Sequence, residues 1–268
     1  MRLARAPSAK KHHPTSCKRK PETMHESSSM LLELDAMPRE HSARALLDRI
    51  KPPPRAESPT KLILHGCADT GSDTWAYQQD PAYTVSKIGA GVGIENFSPA
   101  RPVHGAVMNP VCIEFSPVRR GKPGTNYPHV SDPEAGLFLV RECLRVIEEA
   151  QPKWWVIENP AMGSLRKFLG KPTFTYQPWQ YGSPWTKLTA LWGEFTPPEP
   201  TYKRWEDVPK LDLWARAGRK PSIVYLHKSA FHMIPEFRDS GMPAPESDME
   251  LRSLCSQGFA RAFKEVNP

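Results

Sequence analysis

Residues 132–160 read DPEAGLFLVRECLRVIEEAQPKWWVIENP, and this stretch decides the fold. Leu137, Val140, Leu144 and Ile147 recur at helical spacing. Asp132 followed by Pro133 supplies an N-cap and a first-turn proline, so a helix is expected over about 132–150. The pattern then changes. Trp154-Trp155-Val156-Ile157 is a short, unbroken apolar run of the buried-strand type, and it ends in Glu158-Asn159-Pro160.

The same grammar extends towards the N-terminus. Leu62-Ile63-Leu64 is a short strand pattern that runs into a turn of small residues, Gly66-Cys67-Ala68-Asp69-Thr70-Gly71-Ser72. A second strand, Tyr83 to Ile88, ends in Gly89-Ala90-Gly91-Val92-Gly93, and a third, Gly105 to Met108, ends in Asn109-Pro110-Val111-Cys112. A further helix is expected over about 163–169. Strands alternating with helices or long crossovers imply an α/β fold with a mostly parallel sheet. In such sheets ligands bind beyond the carboxyl ends of the strands. The turns at 66–72 and 89–96, Cys112 and Glu158 are therefore expected to face one crevice.

Composition narrows the field. Hydrophobic residues make up 39% of 268, and prolines number 30. Both values depart from the usual ~45–50% and ~5%, in the direction of long loops and a disordered segment. The net charge of +7 suggests nucleic acid, but it is local. Residues 1–20 hold seven Lys or Arg and no acid, which leaves 29 basic against 29 acidic groups elsewhere. Such a tail adds sequence-independent phosphate affinity or is simply a solvated leader. Residues 1–58 read as a disordered basic segment rich in Pro and Ser, with one short helical pattern over 42–50. The five cysteines are scattered without a CxxC pair, so neither a disulfide framework nor a zinc site is expected, and a reducing cytoplasm fits. No apolar run is long enough for a membrane span.

Cys112 by itself fits a small buried hydrophobe as well as a nucleophile; its place in a loop after a strand favours an exposed thiol. Glu158 fits either a capping or ion-paired carboxylate or a desolvated acid, since Ile157 and Pro160 flank it.

Together these segments resemble the DNA cytosine-5 methyltransferases, phage-encoded members in particular. Asn109-Pro110-Val111-Cys112-Ile113-Glu114-Phe115-Ser116 is similar to their Pro-Cys-x-x-Phe-Ser loop, and Glu158-Asn159-Pro160 to their Glu-Asn-Val segment. Cys67 to Ser72 resembles the Phe-x-Gly-x-Gly cofactor turn. Gln180-Tyr181-Gly182-Ser183-Pro184-Trp185-Thr186-Lys187 is similar to a block of the phage proteins, as are Arg252-Ser253 and Gly258-Phe259-Ala260-Arg261-Ala262-Phe263 near the end. The resemblance covers about 61–268.

It implies a Rossmann-like fold that uses S-adenosylmethionine as methyl donor and DNA as substrate, in a cytoplasmic monomer without metal. Cys112 would be the nucleophile that adds to C6 of cytosine, and Glu158 the acid at N3. Asn159 would hold the loop, and Lys187 would touch the base or a phosphate. Ser116, Gln180 and Gly182 would join Lys187 in binding the substrate. Cys67, Ala68, Asp69, Thr70, Gly71, Ser72, Gly91, Glu95, Asn109 and Pro110 would surround the cofactor. The chain departs from the family at three places: Asp69 replaces a glycine, Gly91 an acidic ribose partner for which Glu95 could substitute, and Val111 a proline. A relative that binds nucleic acid without methylating it is the second reading.

The expected organisation is a catalytic and cofactor-binding core over 59–195, a lobe over 196–250, and a C-terminal helix over 251–268 that returns to the core. Trp205, Trp214, Lys203, Arg204, Arg216, Arg219, Lys220 and Lys228 interleave aromatic with basic residues in the lobe. That pattern suits target recognition, or else an irregular proline-rich lobe whose tryptophans form its core. His65, His104, His227 and His232 have no metal spacing and read as structural or surface residues.

Overall fold

The computed structural model describes residues 60–68, 70–99, 102–116 and 132–268. The expected segment 1–58, with its helical pattern over 42–50, and Asp69 lie outside the described residues.

Six strands form one sheet: β1 (Lys61–Gly66), β2 (Tyr83–Ile88), β3 (Gly105–Met108), β4 (Trp154–Pro160), β5 (Phe174–Tyr176) and β6 (Thr189–Glu194). Their order is β2-β1-β3-β4-β6-β5. The four strands β1 to β4 run parallel, while β6 is antiparallel to both β4 and β5. The helices are α1 (Trp75–Gln78), α2 (Pro133–Ala150), α3 (Arg166–Leu169), α4 (Pro235–Arg238), α5 (Asp248–Ser253) and α6 (Gln257–Val266).

Period-two alternation sorts the strand residues between two faces. Leu62, Leu64, Ala106, Met108, Trp155 and Ile157 pack under Leu137, Val140, Leu144 and Ile147 of α2. Ile63, Val107, Trp154 and Val156 meet Tyr77 of α1 and Phe259, Ala260 and Phe263 of α6 on the other face. Helices cover both faces, so the central strands are apolar throughout. The Asp132 carboxylate caps α2 by accepting from the backbone N–H groups of Glu134 and Ala135 at 3.1 and 3.2 Å. The helix ends where Gln151 turns left-handed (φ 44) ahead of Pro152, which cannot continue it.

Three elements differ from the expectations. The expected C-terminal helix over 251–268 is two, α5 ending at Ser253 and α6 starting at Gln257, because the Ser256 hydroxyl accepts from Phe259 N–H at 3.2 Å and caps a new start. The helix over 163–169 shrinks to α3, because the chain before it is tied elsewhere: Gly163 N–H donates to Pro160 O, and Ser164 N–H to Phe115 O. The β5–β6 pair has no counterpart in the sequence reading, and it gives β4 an antiparallel neighbour.

The C-terminal helix lies hard against the turn Pro178–Tyr181. A Cβ on Gly258 would sit 1.9 Å from the Tyr181 carbonyl oxygen, a backbone atom. Gly258→Ala is therefore expected to cost about 1–3 kcal/mol or more by overpacking. Scanning calorimetry should register a fall of roughly 2–4 °C in Tm per kcal/mol. An unchanged Tm would show that α6 does not press on this turn.

The lobe after β6 holds short turns rather than strands. Its core is built by Trp185, Ile223, Leu226, Phe231, Ile234, Phe237, Leu251 and Leu254. Trp205 and Trp214 are not part of it. Among the described residues no helix is long and apolar enough to cross a membrane, and no group of three or more His, Cys, Asp or Glu side chains could hold a metal ion.

Candidate active site

The chain runs from β1 outward to β2 and then returns to place β3 on the other side of β1. The sheet's switch point therefore lies between β1 and β3, and the carboxyl ends of these strands are where sheets of this kind bind their ligands. Gly66 and Cys67 leave β1 there, and Asn109 and Pro110 leave β3. Met108 pairs with Ile157 across β3 and β4, so the next positions, Asn109 and Glu158, are neighbours at the same edge.

Glu158 is the centre of the cluster. Its side chain is only 13% exposed. Asn109 Nδ2 donates to its Oε2 at 3.5 Å, and Lys187 Nζ lies 3.9 Å from its Oε1. Burial raises the carboxyl pKa; Lys187 opposes that, Asp73 adds to it, and the Asn109 hydrogen bond opposes it. The outcome is a carboxyl pushed up to about 7, one that carries a proton in a large fraction of molecules at neutral pH. Burial pulls the Lys187 ammonium the other way, but Glu158, Asp73, Cys112 and Cys255 together outweigh it and hold its proton. Lys187 also donates from Nζ to Ser253 O at 3.3 Å, and its backbone N–H to Gln177 Oε1 at 3.1 Å.

Cys112 is exposed, and in its thiolate form it would add to the attraction that holds the proton of Lys187. Its carbonyl accepts from the N–H groups of Phe115 and Ser116 at 3.1 and 2.9 Å, and the fully buried Phe115 ring anchors that turn. Asn159, also fully buried, donates from Nδ2 to Pro110 O at 2.9 Å and so clamps the loop two residues ahead of the thiol.

His65 has a part that the sequence reading gave it only as a structural or surface residue. It is 1% exposed, at the penultimate position of β1. Nε2 faces Asn109 Oδ1 at 3.0 Å and Nδ1 faces Thr74 Oγ1 at 2.8 Å. Because the Asn109 amide turns its Nδ2 to Glu158, its oxygen accepts from His65, which puts the imidazole proton on Nε2 and lets Nδ1 accept from Thr74. Thr74, His65, Asn109 and Glu158 thus form one chain from the turn after β1 to the acid. Replacing His65 with leucine should leave the Asn109 amide oxygen short of a partner, while the Thr74 hydroxyl keeps Gly71 O and Gln78 Nε2, at a cost of about 1–3 kcal/mol in denaturant unfolding. An Asn109 amide released in this way donates less well, so the Glu158 pKa should climb further in an NMR titration, and His65→Gln should restore part of it. An unmoved pKa in His65→Leu would mean that Asn109 holds its orientation unaided.

The other expected residues scatter around this cluster. Thr70 and Ser72 share a hydroxyl contact of 3.1 Å. Ser72 is fully buried; its hydroxyl accepts from Cys255 N–H and its carbonyl from Gln257 Nε2. Cys67 is left-handed (φ 54), with its sulfur 3.8 Å from that of Cys143, and Ala68 is buried beside it. Gly91 and Glu95 lie exposed beyond β2. Ser116 closes the Cys112 turn half-buried. Gln180 spends its Oε1 on the N–H of Gln177 at 2.6 Å, and Gly182 takes the left-handed turn (φ 93) that follows.

The structure adds Asp73, Thr74, His65 and Gln177 to the cluster. Of these only His65 left a trace in the sequence, as an ionisable residue inside the apolar string Leu62 to Gly66. No family model matches the chain, and no curated protein resembles it to a significant degree.

Proposed function

We propose that the chain is a transferase that works on a pyrimidine with a thiol and a protonated carboxyl. More narrowly, it transfers a methyl group from S-adenosylmethionine to C5 of cytosine in DNA. One observation carries the reading: a carboxyl pushed up to about 7 and held between Asn109 and Lys187 lies at the same sheet edge as the loop that carries an exposed thiol, Cys112.

S-adenosylmethionine would supply an electrophilic methyl group. The residues beyond β1 and β2 suit such a nucleoside: a side chain grown on Gly91 would meet nothing within 4 Å, and Glu95, exposed nearby, offers a carboxylate to sugar hydroxyls. The target base would have to leave the duplex stack to reach Cys112. The Cys112 thiolate adds to C6, forming the S–C6 bond, while Glu158 delivers its proton to N3. The electron pair from the broken C5–C6 double bond makes C5 nucleophilic, and C5 would take the methyl carbon as the donor's sulfur–methyl bond breaks and neutral S-adenosylhomocysteine leaves. A base then removes the C5 proton, the S–C6 bond breaks, the thiolate leaves, and the N3 proton returns to Glu158. Lys187 faces both the acid and the departing thiolate, and so steadies negative charge at either end.

Incubating the full chain with methyl-labelled S-adenosylmethionine and DNA tests the proposal. Label recovered as 5-methylcytosine is the expected result; no label in any base at saturating donor and DNA would sink it.

A further inference from the structure

The basic residues of the lobe are not equivalent. Arg204 is spent on Asp207, with contacts of 3.0 and 2.7 Å, and Arg238 on Asp239, at 2.7 and 2.8 Å. Lys210 points its ammonium into the carbonyls of Trp205 and Val208, and Lys228 bonds Glu246 O at 2.7 Å. Arg216, Arg219 and Lys220 have no ion-pair partner among the described residues. They line a hollow of about 320 Å³ together with Trp214, Ser222 and Tyr225, and no acidic side chain lines it.

Its aromatic rings are unusually open. Trp214 is 58% exposed and Tyr225 49%. The two meet edge to face with centroids 6.2 Å apart. Arg216 sits 4.6 Å from the Tyr225 ring, and Lys220 lies 4.9 and 5.2 Å from the rings of Trp179 and Trp205. The hollow is also tied to the site already described. Ser222 pairs with Thr186: Thr186 N–H donates to Pro221 O at 2.9 Å and Ser222 Oγ to Thr186 O at 3.1 Å. The residue after Thr186 is Lys187, which reaches Glu158.

We propose that this hollow holds an unpaired nucleotide of a nucleic-acid strand, its base stacked on Trp214 and its phosphates met by Arg216, Arg219 and Lys220. The inference rests on the proposed function in one respect: a target base that must be unpaired to reach Cys112 comes from a strand whose bases are at least locally open. A duplex offers phosphates and base edges, but its ring faces are covered. An acidic peptide would use the cations and have no need of the indole. A single strand uses both.

Fluorescence anisotropy with a labelled oligothymidine strand of about ten nucleotides, and with a duplex of equal length, reads this without any methyl donor. Trp214→Ala is expected to weaken single-strand binding roughly 5- to 150-fold and to leave the duplex within about twofold. Trp214→Phe should keep most of the single-strand affinity. Arg219→Ala should flatten the slope of log K against log salt by about 0.7 for the single strand. The Tm of each variant should stay in place, since these side chains are outside the lobe's core. Unchanged single-strand affinity in Trp214→Ala overturns the proposal, and so does an equal loss for strand and duplex. Displacement of the strand by polyglutamate with equal potency in parent and Trp214→Ala also overturns it, in favour of a plain anion patch. A chain that binds through Trp214 but never transfers methyl sinks the enzymatic reading alone; one that transfers methyl and ignores Trp214 sinks the hollow alone.

Discussion

Cys112→Ser is expected to lower methyl transfer to DNA by on the order of 10⁴-fold or more, while DNA still binds. A serine hydroxyl does not ionise near neutral pH, and oxygen is a far poorer nucleophile towards C6 than thiolate sulfur. Since Cys112 is exposed, the exchange removes no packing, and stability should stay within about 0.5 kcal/mol of the parent. A trap makes the assignment specific. DNA carrying 5-fluorocytosine should form a lasting adduct with the parent chain, because fluorine cannot leave as a proton does. Mass spectrometry should find that adduct on the peptide containing Cys112, and it should vanish in Cys112→Ser. An adduct on Cys67, or methyl transfer that survives in the serine variant, would remove Cys112 from the chemistry.

The second large effect concerns the acid. Glu158→Gln keeps a hydrogen-bond donor for N3 but has no proton to give, so a loss of about 10²- to 10⁴-fold is expected. The sign of the pH dependence follows from the direction of the shift. In the proposed mechanism the protonated carboxyl is the working form, and above about 7 its fraction falls tenfold per pH unit while the thiolate fraction of Cys112 rises. On the alkaline side kcat/KM of the parent should therefore decline relative to that of Glu158→Gln, which shares the thiol but lacks the titrating acid. The residual activity of Glu158→Gln should lack that decline. Asp73→Asn removes a charge that raises the carboxyl, so it should move the decline to lower pH. Folding is linked in the same sense. The folded carboxyl holds its proton more tightly than the ordinary 4.5 of an unfolded chain, so its contribution to stability is complete below pH 4.5 and is lost as pH rises through 7. A parent-to-variant ratio that stays flat from pH 6 to 9 would show that Glu158 is not the proton donor.

Much of the sheet was legible because each parallel strand is a covered, near-continuous apolar run that ends at a change of composition. Leu62-Ile63-Leu64 and Trp154-Trp155-Val156-Ile157 could be little else, and the Asp132-Pro133 start marks α2 to the residue. The β5–β6 pair was illegible for the opposite reason. Phe174–Tyr176 is three residues long, and Thr189–Glu194 ends in Gly193-Glu194, so neither carries a periodic signature of its own; pairing with β4 makes them strands. Cys112 and Glu158 stand out because one sits in the loop that follows β3 and the other near the end of β4. His65 did not, since a histidine in an apolar run says that it is paired but not with what. Its partners, Thr74 and Asn109, come from two different loops. Asp73 is harder still, as its effect on Glu158 is exerted through space.

The turn after β1 has a further consequence, for the order of folding. Ser72 is held by Cys255 N–H and by the Gln257 side chain, and the Tyr77 hydroxyl donates to Asn267 O, at sequence separations of 183, 185 and 190 residues. Closing loops of that size costs entropy before any contact repays it, and high contact order slows folding. The β1–β2 unit can pair early from local contacts, but the turn beside it takes its final shape only when the last helix has docked. That turn therefore matures among the last features of the chain, and a folding intermediate with a complete sheet would still lack a formed site.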